Sequence, residues 1–234
     1  MFPVRCQAVR RLLCLLPVLP LIVLCGSCSD FWVSDSSTAT LAVSPSAVLL
    51  KAAVAPATTG DTYTLSATAT TVGGTTSDVT STATWSSSST DVTVKNGLLT
   101  AGTTGGVAAT ITATSGGQSS TCAVFTYTGS TPTAINVSYT LPSGVTASTI
   151  PLGTTFNAFA QASPSLNLVS SQDISSYVTW SITSNTAGAT ISSTGQVTVP
   201  TTATIGSFTV NAIATFGSSA SPSTLTGSTT FTVI

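Results

Sequence analysis

The 234-residue chain carries few charges: five Lys or Arg face six Asp, there is no His and no Glu, and the formal net charge is −1. This balance excludes a basic surface for nucleic acid, and the missing histidine excludes Ser-His-Asp and Cys-His catalysis. Six isolated aspartates also fit poorly with the paired carboxyls of a glycosidase, and a zinc site would lack His and clustered Cys ligands. We therefore predict that the protein is not an enzyme and holds no cofactor or metal.

Residues 1–27 are typical of a secretory signal peptide, because three arginines precede an uncharged apolar run at residues 12–24 and small residues follow it. The stretch LCGSC resembles the lipobox of bacterial lipoproteins, which implies acylation of Cys28 and attachment to a membrane. Ordinary secretion with cleavage nearby and an uncleaved anchor are the alternatives. By analogy with enterobacterial sorting, Ser29 favours the outer membrane or the cell surface.

Residues 28–38 are predicted to link the lipid anchor to the folded part of the chain. Phe31 and Trp32 lie in this linker, four residues or fewer after Cys28. Aromatic side chains favour the membrane interface, so the pair can act as an anchor there. Packing on the first folded module or a simple linker role are the alternatives.

From Thr38 onward the sequence predicts an all-β protein, because short alternating runs of Thr, Val, Ala and Ile lie between Gly, Pro, Asn, Asp and Ser. The pattern occurs twice. DVTSTATWS at residues 78–86 returns as DISSYVTWS at 173–181, and GDTYTLSAT from Gly60 matches GTTFNAFAQ from Gly153.

Each copy has the length and turn frequency of an immunoglobulin-like sandwich of about seven strands. We predict two tandem immunoglobulin-like β-sandwiches, the first at residues 39–128 and the second, more divergent, at 134–234. Residues 129–133 form the linker, where Gly and Pro interrupt the strand pattern.

The first copy resembles the bacterial immunoglobulin-like domains of group 2, the tandem modules of intimin and invasin-type adhesins. The resemblance is carried by GDTYTLSAT, by TATWSSSSTDVTVKNGLLTA and by ATITATSGG. The second copy matches through TWSITSNTAGATISSTGQVTV. Its segment from Trp180 to Gly195 is three residues longer than the segment from Trp85 to Gly97 in the first copy. The resemblance implies a β-sandwich displayed at a bacterial surface.

One tryptophan and one aromatic partner per copy are predicted to fill the space between two sheets: Trp85 with Tyr63, and Trp180 with Phe156. Exposed tryptophans that stack on sugars are the alternative. Asp78 and Asp173 are predicted to accept backbone N–H bonds at the preceding turn.

Two further side-chain types have competing interpretations. The turn aspartates Asp61, Asp78, Asp91 and Asp173 leave Ca²⁺ as the least implausible metal, although they lie far apart in sequence. Cys122 lies in an apparent strand and is expected to be a small buried apolar residue, with a reactive thiol as the alternative.

The sequence therefore favours an exported lipoprotein of the bacterial envelope, whose partners are the membrane, through the lipid, and an unknown protein or glycan. Its two modules would serve adhesion or interaction through strand edges and loops. A passive structural spacer and a carbohydrate-binding accessory protein are the alternative functions.

Overall fold

The computed structural model describes residues 36–163, 166, 173–218 and 221–234. They belong to one compact unit, Ser34–Ile234, in which almost all regular structure is β. The runs of Thr, Val and Ala form strands because their branched or small side chains suit a pleated surface with one buried face.

The first half of the described chain forms a sandwich of short strands. Their bounds are β1 (Thr38–Ser44), β2 (Ala47–Lys51), β3 (Thr62–Thr64), β4 (Ser66–Thr71), β5 (Thr76–Asp78), β6 (Thr84–Ser87), β7 (Val92–Lys95), β8 (Leu98–Ala101), β9 (Ala108–Ser115) and β10 (Gln118–Tyr127).

Two layers face each other in this first sandwich. Strands β3 and β4 are separated only by the buried Leu65 and act as one continuous strand. The first layer therefore has the order β1, β3–β4, β8, β7. The second layer has the order β2, β10, β9, β6, in which β2 runs parallel to β10. This is the strand order of an immunoglobulin-like sandwich.

The second half repeats that order, except that none of its described strands corresponds to β2. Their bounds are β11 (Ala134–Thr140), β12 (Thr155–Ser163), β13 (Thr179–Thr183), β14 (Thr190–Ile191), β15 (Gln196–Thr198), β16 (Gly206–Phe216) and β17 (Ser223–Val233), with a 3-10 helix at Ser175–Tyr177. One layer has the order β11, β12, β15, β14, and the other has β13, β16, β17. The predicted all-β fold with two immunoglobulin-like sandwiches is confirmed.

Each sandwich has its own hydrophobic core. The first core is built mainly from Leu, Val, Ile and Ala, including Leu65, Leu99 and Ile111. The second is richer in aromatic rings, and the ring of Phe231 lies 4.9 Å from that of Phe156 and stacks on that of Phe208 at 5.3 Å.

The two sandwiches are joined by more than the connecting chain. Leu49 of β2 pairs with Phe216 at the end of β16, and the N–H of Gly217 donates to the Leu49 carbonyl at 2.8 Å. The layer that contains β10 in the first sandwich therefore continues into the layer that contains β16 in the second.

Aromatic contacts reinforce this junction. The ring of Phe125 lies 5.0 Å from that of Tyr177, and Tyr127 meets Phe216 edge-on at 6.3 Å. Leu49, Phe125 and Tyr127, all from the first sandwich, thus belong to the core of the second. The repeat pattern in the sequence did not predict this shared packing.

The predicted linker lies between β10, which ends at Tyr127, and β11, which begins at Ala134. Its backbone is bonded to the second sandwich: the N–H of Gly129 donates to Leu166 at 2.6 Å, and that of Thr133 donates to Ser163 at 2.9 Å. Both ends of this segment are therefore held against the second sandwich.

Candidate functional site

The repeated phrase of the first sandwich forms a hydrogen-bonded loop between β5 and β6. The Asp78 carboxylate accepts the N–H of Thr80 at 2.8 Å, and the Thr80 hydroxyl oxygen accepts the N–H of Ala67 at 2.8 Å. The indole N–H of Trp85 donates to the Thr80 carbonyl at 2.9 Å. Hydrogen bonds from the side chain and backbone of Thr80 lower the pKa of Asp78. Thr80 thus connects the aspartate, the tryptophan and β4.

The second sandwich builds the same network from the second phrase. Asp173 accepts the N–H of Ser175 at 2.9 Å and also the Ser175 hydroxyl, whose oxygen accepts the N–H of Ala160 at 3.0 Å. The Trp180 indole N–H donates to the Ser175 carbonyl at 3.0 Å. Both copies therefore repeat the phrase because it closes one local structure.

A glycine lies beside each indole. Gly97 and Gly195 have φ values of +80° and +85°, in the left-handed region where a side chain is unfavourable. Their carbonyls accept the N–H groups of Leu65 and Ala158, each at 2.9 Å. A Cβ atom at Gly195 would lie 3.1 Å from the Trp180 ring. The turn before β8 therefore packs on Trp85, and the turn before β15 packs on Trp180.

The four aromatic residues predicted for the cores differ in burial. Trp180 and Phe156 are buried, with 9% and 4% of their surface exposed. Trp85 and Tyr63 are only partly buried and pack against the side of the first core. Trp85 lies on β6 and Trp180 on β13, and each is the last strand of its layer, so strand position alone does not account for the difference in burial.

An open groove of about 460 Å³ lies where Trp180 meets the first sandwich. Hydroxyl groups and small apolar side chains from both sandwiches line it, and none of the lining residues is charged. They are Ser46, Ala47, Thr121, Ala123, Ser176, Val178, Thr179, Trp180, Ile191, Ser192, Ser193 and Thr194. Ser46 and Thr179 approach each other across the groove, with their hydroxyl oxygens 3.3 Å apart. This surface is suited to a neutral polar ligand.

A smaller cleft of about 260 Å³ lies on the first sandwich and contains one carboxylate, Asp91. One oxygen of Asp91 accepts the N–H of Thr104 at 3.2 Å. The remaining side chains of this cleft are threonines and alanine, together with Gly102.

The turn aspartates act as acceptors for backbone groups. Besides Asp78, Asp91 and Asp173, Asp61 accepts the N–H of Lys51 at 3.2 Å. Among the described residues, no three His, Cys, Asp or Glu side chains come together.

Cys122 lies on β10 inside the first core and is fully buried. Burial raises the pKa of its thiol to about 12. The group is therefore protonated at neutral pH, and it packs as a small apolar side chain.

Several predicted features lie outside the described residues: the signal peptide at 1–27, the acylated Cys28, and the aromatic pair Phe31 and Trp32. In the part of the chain that the structure does describe, no helix is long and apolar enough to cross a membrane.

Sequence reasoning missed Thr80 and Ser175, the residues through which each network is connected. The signal was present, because each is a hydroxyl residue two positions after the aspartate and five before the tryptophan. It also missed the groove, because residues 176–180 and 191–194 come close to the start of β2 only when the junction brings the two sandwiches together.

No protein-family model matches the chain, and no curated protein matches it. Similar solved structures include domains 5-6 of the S-layer protein SbsC, at 17% identity and a TM-score of 0.32, covering 84% of this chain and 97% of that one. A longer SbsC fragment, domains 4-9, has 16% identity and a TM-score of 0.32, and the match covers 84% of this chain and 31% of the fragment.

A third similar structure is mouse cadherin-23 EC22-24, at 11% identity and a TM-score of 0.28, with 83% of this chain and 67% of that chain covered. The strand order of the chain itself defines its fold. None of these similarities assigns it a function.

Proposed function

We propose that this chain is an exported bacterial surface lipoprotein whose two sandwiches, related to the group 2 immunoglobulin-like domains, bind a neutral protein or glycan ligand in adhesion. The observation that carries the proposal is the groove between the sandwiches. Its walls come from both sandwiches, it holds no charge, and it combines the edge of Trp180 with several hydroxyls.

The groove favours a ligand that is polar without being charged. Serine and threonine hydroxyls can each donate and accept a hydrogen bond, which matches the hydroxyl groups of a sugar or the backbone of an extended peptide. A carbohydrate-binding accessory role is the second candidate, and the same combination of an indole edge with hydroxyls favours it.

The junction bears on the spacer alternative. Leu49 pairs with Phe216 and Phe125 packs on Tyr177, so the two sandwiches contact each other directly. Such contacts suit a spacer, and they also bring the two walls of the groove together. Binding of a ligand in the groove would distinguish an interaction role from a passive spacer.

A binding experiment on the full chain tests the groove. Glycan-array and cell-binding assays would compare the unchanged chain with Ser193→Arg, which places a long charged side chain in the groove, and with Thr140→Arg at an exposed site outside it. We expect saturable binding that Ser193→Arg abolishes and Thr140→Arg preserves. Binding insensitive to Ser193→Arg contradicts the groove as the site, and silence of the unchanged chain in both assays favours the spacer.

The anchor is tested by metabolic labelling with palmitate in cells that produce the full chain or Cys28→Ala. The proposal expects label in the first and none in the second. Equal labelling would remove acylation at Cys28.

A further inference from the structure

Within the described residues, the outer edge of β17 makes backbone hydrogen bonds at one end only, and β11 packs against its inner face, where the Thr229 hydroxyl donates to the Val137 carbonyl at 3.1 Å. At the bonded end of the outer edge, the N–H of Thr232 donates to Ala147 at 2.8 Å, and its carbonyl accepts the N–H of Ile150 at 2.9 Å. Backbone groups alternate in direction along a strand, so the N–H and C=O of Thr226, Ser228 and Thr230 point the same way as those of Thr232. Within the described part of the chain, these groups make no backbone hydrogen bond on that side.

The first sandwich covers part of the corresponding edge and leaves residues 118–122 outside that pairing. Its final strand, β10, is paired in parallel with β2 over five residues, from Ala123 opposite Ala47 to Tyr127 opposite Lys51. In the second sandwich the same position is reduced to a single bridge between Ile150 and Val233. Within the described part of the chain, the outward backbone groups of Thr226, Ser228 and Thr230 therefore have no strand partner, and residues 224–230 are called the open edge.

This edge lacks the features that normally prevent strand addition. An exposed edge is usually interrupted by charges, proline or a bulge. Strand β17 pairs with β16 in an unbroken register over eleven residues, from Ser223 to Val233, and contains no charge and no proline. Its exposed face between residues 224 and 230 consists of Thr224, Thr226, Ser228 and Thr230.

We infer that the open edge of β17 pairs antiparallel with the same edge of a second copy of this chain. A pair centred on Gly227 uses the whole open run and places Thr226 opposite Ser228, and Thr224 opposite Thr230, of the other copy. Each outward N–H then meets an outward C=O. Hydroxyl side chains of this kind form favourable cross-strand pairs, and two uncharged edges do not repel each other.

A second copy fits better than an unrelated partner, because the edge is complementary to itself. Pairing two copies extends the layer formed by β13, β16 and β17 without any change in its internal register. This inference is independent of the proposed anchor and of the groove, whose lining residues are not on β17.

Cross-linking of the full chain tests the pairing. Ser228→Cys, treated with a short bismaleimide on intact producing cells and in detergent extract, is expected to give a dimer of the chain. Thr93→Cys, at an exposed site on β7 of the first sandwich, is the matched control and is expected to remain monomeric, as is the chain without an added cysteine.

Backbone pairing is tested by adding Thr226→Pro or Thr226→Ala to Ser228→Cys. Proline removes an outward N–H that β16 does not use, whereas alanine keeps it. We expect Thr226→Pro to lower the dimer yield at least about tenfold, because the two-fold axis repeats the lost bond, and Thr226→Ala to retain the dimer.

A second measurement covers the possibility that the proline variant unfolds. Sedimentation of the full chain in detergent would compare Thr226→Lys, which adds a charge to the edge, with Thr226→Lys/Ser228→Asp, which places opposite charges face to face. We expect monomer in the first and recovered dimer in the second. Monomeric unchanged chain, a Ser228→Cys adduct only to a different protein, or a dimer unaffected by these substitutions each overturns the inference.

Discussion

The indole N–H of Trp180 donates to the carbonyl of Ser175, five positions earlier in the chain, at 3.0 Å. Trp85 makes the same bond to Thr80 at 2.9 Å in the first sandwich. The tryptophan of each copy therefore both fills space and satisfies the backbone of the loop that leads to its strand. Substitution of the tryptophan by alanine removes both the ring and the hydrogen bond, whereas substitution by phenylalanine removes the hydrogen bond and keeps an aromatic ring.

Trp180→Ala is expected to destabilise the chain by about 3–5 kcal/mol, because a buried ring leaves a cavity. Trp180→Phe keeps most of the ring but leaves the Ser175 carbonyl without its donor, and we expect a loss of about 1–3 kcal/mol. Trp85→Ala should cost less than Trp180→Ala, since Trp85 is only partly buried. Urea unfolding of the full chain in detergent measures all three. An equal cost for the two alanine variants would contradict the difference in burial.

Gly195→Ala is expected to destabilise the second sandwich more than Gly144→Ala. Both glycines have positive φ, +85° and +80°, so either alanine carries left-handed strain of about 1–2 kcal/mol. Only at Gly195 would the added Cβ also meet the chain, 2.5 Å from the Ala158 carbonyl, whereas nothing lies within 4 Å at Gly144. Thermal unfolding compares the Tm values of the two variants. A similar decrease in Tm for both would show that the turn before β15 can move away from the added Cβ without further loss of stability.

Cys122 is expected to resist alkylation in the folded chain and to react once urea unfolds it, because burial keeps its thiol protonated. Mass spectrometry of the peptide that contains Cys122, after iodoacetamide at pH 8, measures the modified fraction. Rapid modification without urea would contradict a buried thiol.

The same thiol makes stability depend on alkaline pH. Burial raises the pKa of Cys122 from 9.0 to about 12, so its contribution is complete below pH 9 and is lost as the pH rises towards 12. Burial also raises the pKa values of Tyr63, Tyr127 and Tyr177, which add to the loss. Urea unfolding at pH 8 and pH 10.5 should show a smaller decrease for Cys122→Ala than for the unchanged chain. Identical decreases would assign the effect to the tyrosines alone.

Tyr177→Ala is expected to uncouple the two sandwiches, because it removes the ring that lies 5.0 Å from Phe125 across the junction. An aromatic pair contributes about 0.5–1.5 kcal/mol beyond its buried area. Differential scanning calorimetry of the full chain should change from one transition to two. Tyr139→Ala is the control, since its ring packs on Phe231 within the second sandwich at 5.1 Å; two transitions in that variant as well would show that the junction has no special role.

The repeat within the sequence was enough to predict the fold, because alternating side chains, turn glycines and the Asp-to-Trp phrase report local structure. Burial of Trp85 and Trp180 could not be distinguished, since identical local patterns meet different neighbours in space. The contacts of Phe125 with Tyr177 and of Leu49 with Phe216 join positions far apart in the chain that are not repeated between the copies. Alternation alone also does not indicate that β2 pairs with residues 123–127 of β10, whereas β17 has only the bridge to Ile150 on that side among the described residues.

The parallel pairing of β2 with β10 determines how the first sandwich would resist tension. A pull on the amino-terminal end of β2 and a pull on the carboxyl-terminal end of β10 act in opposite directions along adjacent strands. The rungs between Ala47 and Lys51 would then share the load in shear and give way together, instead of opening one at a time from an end.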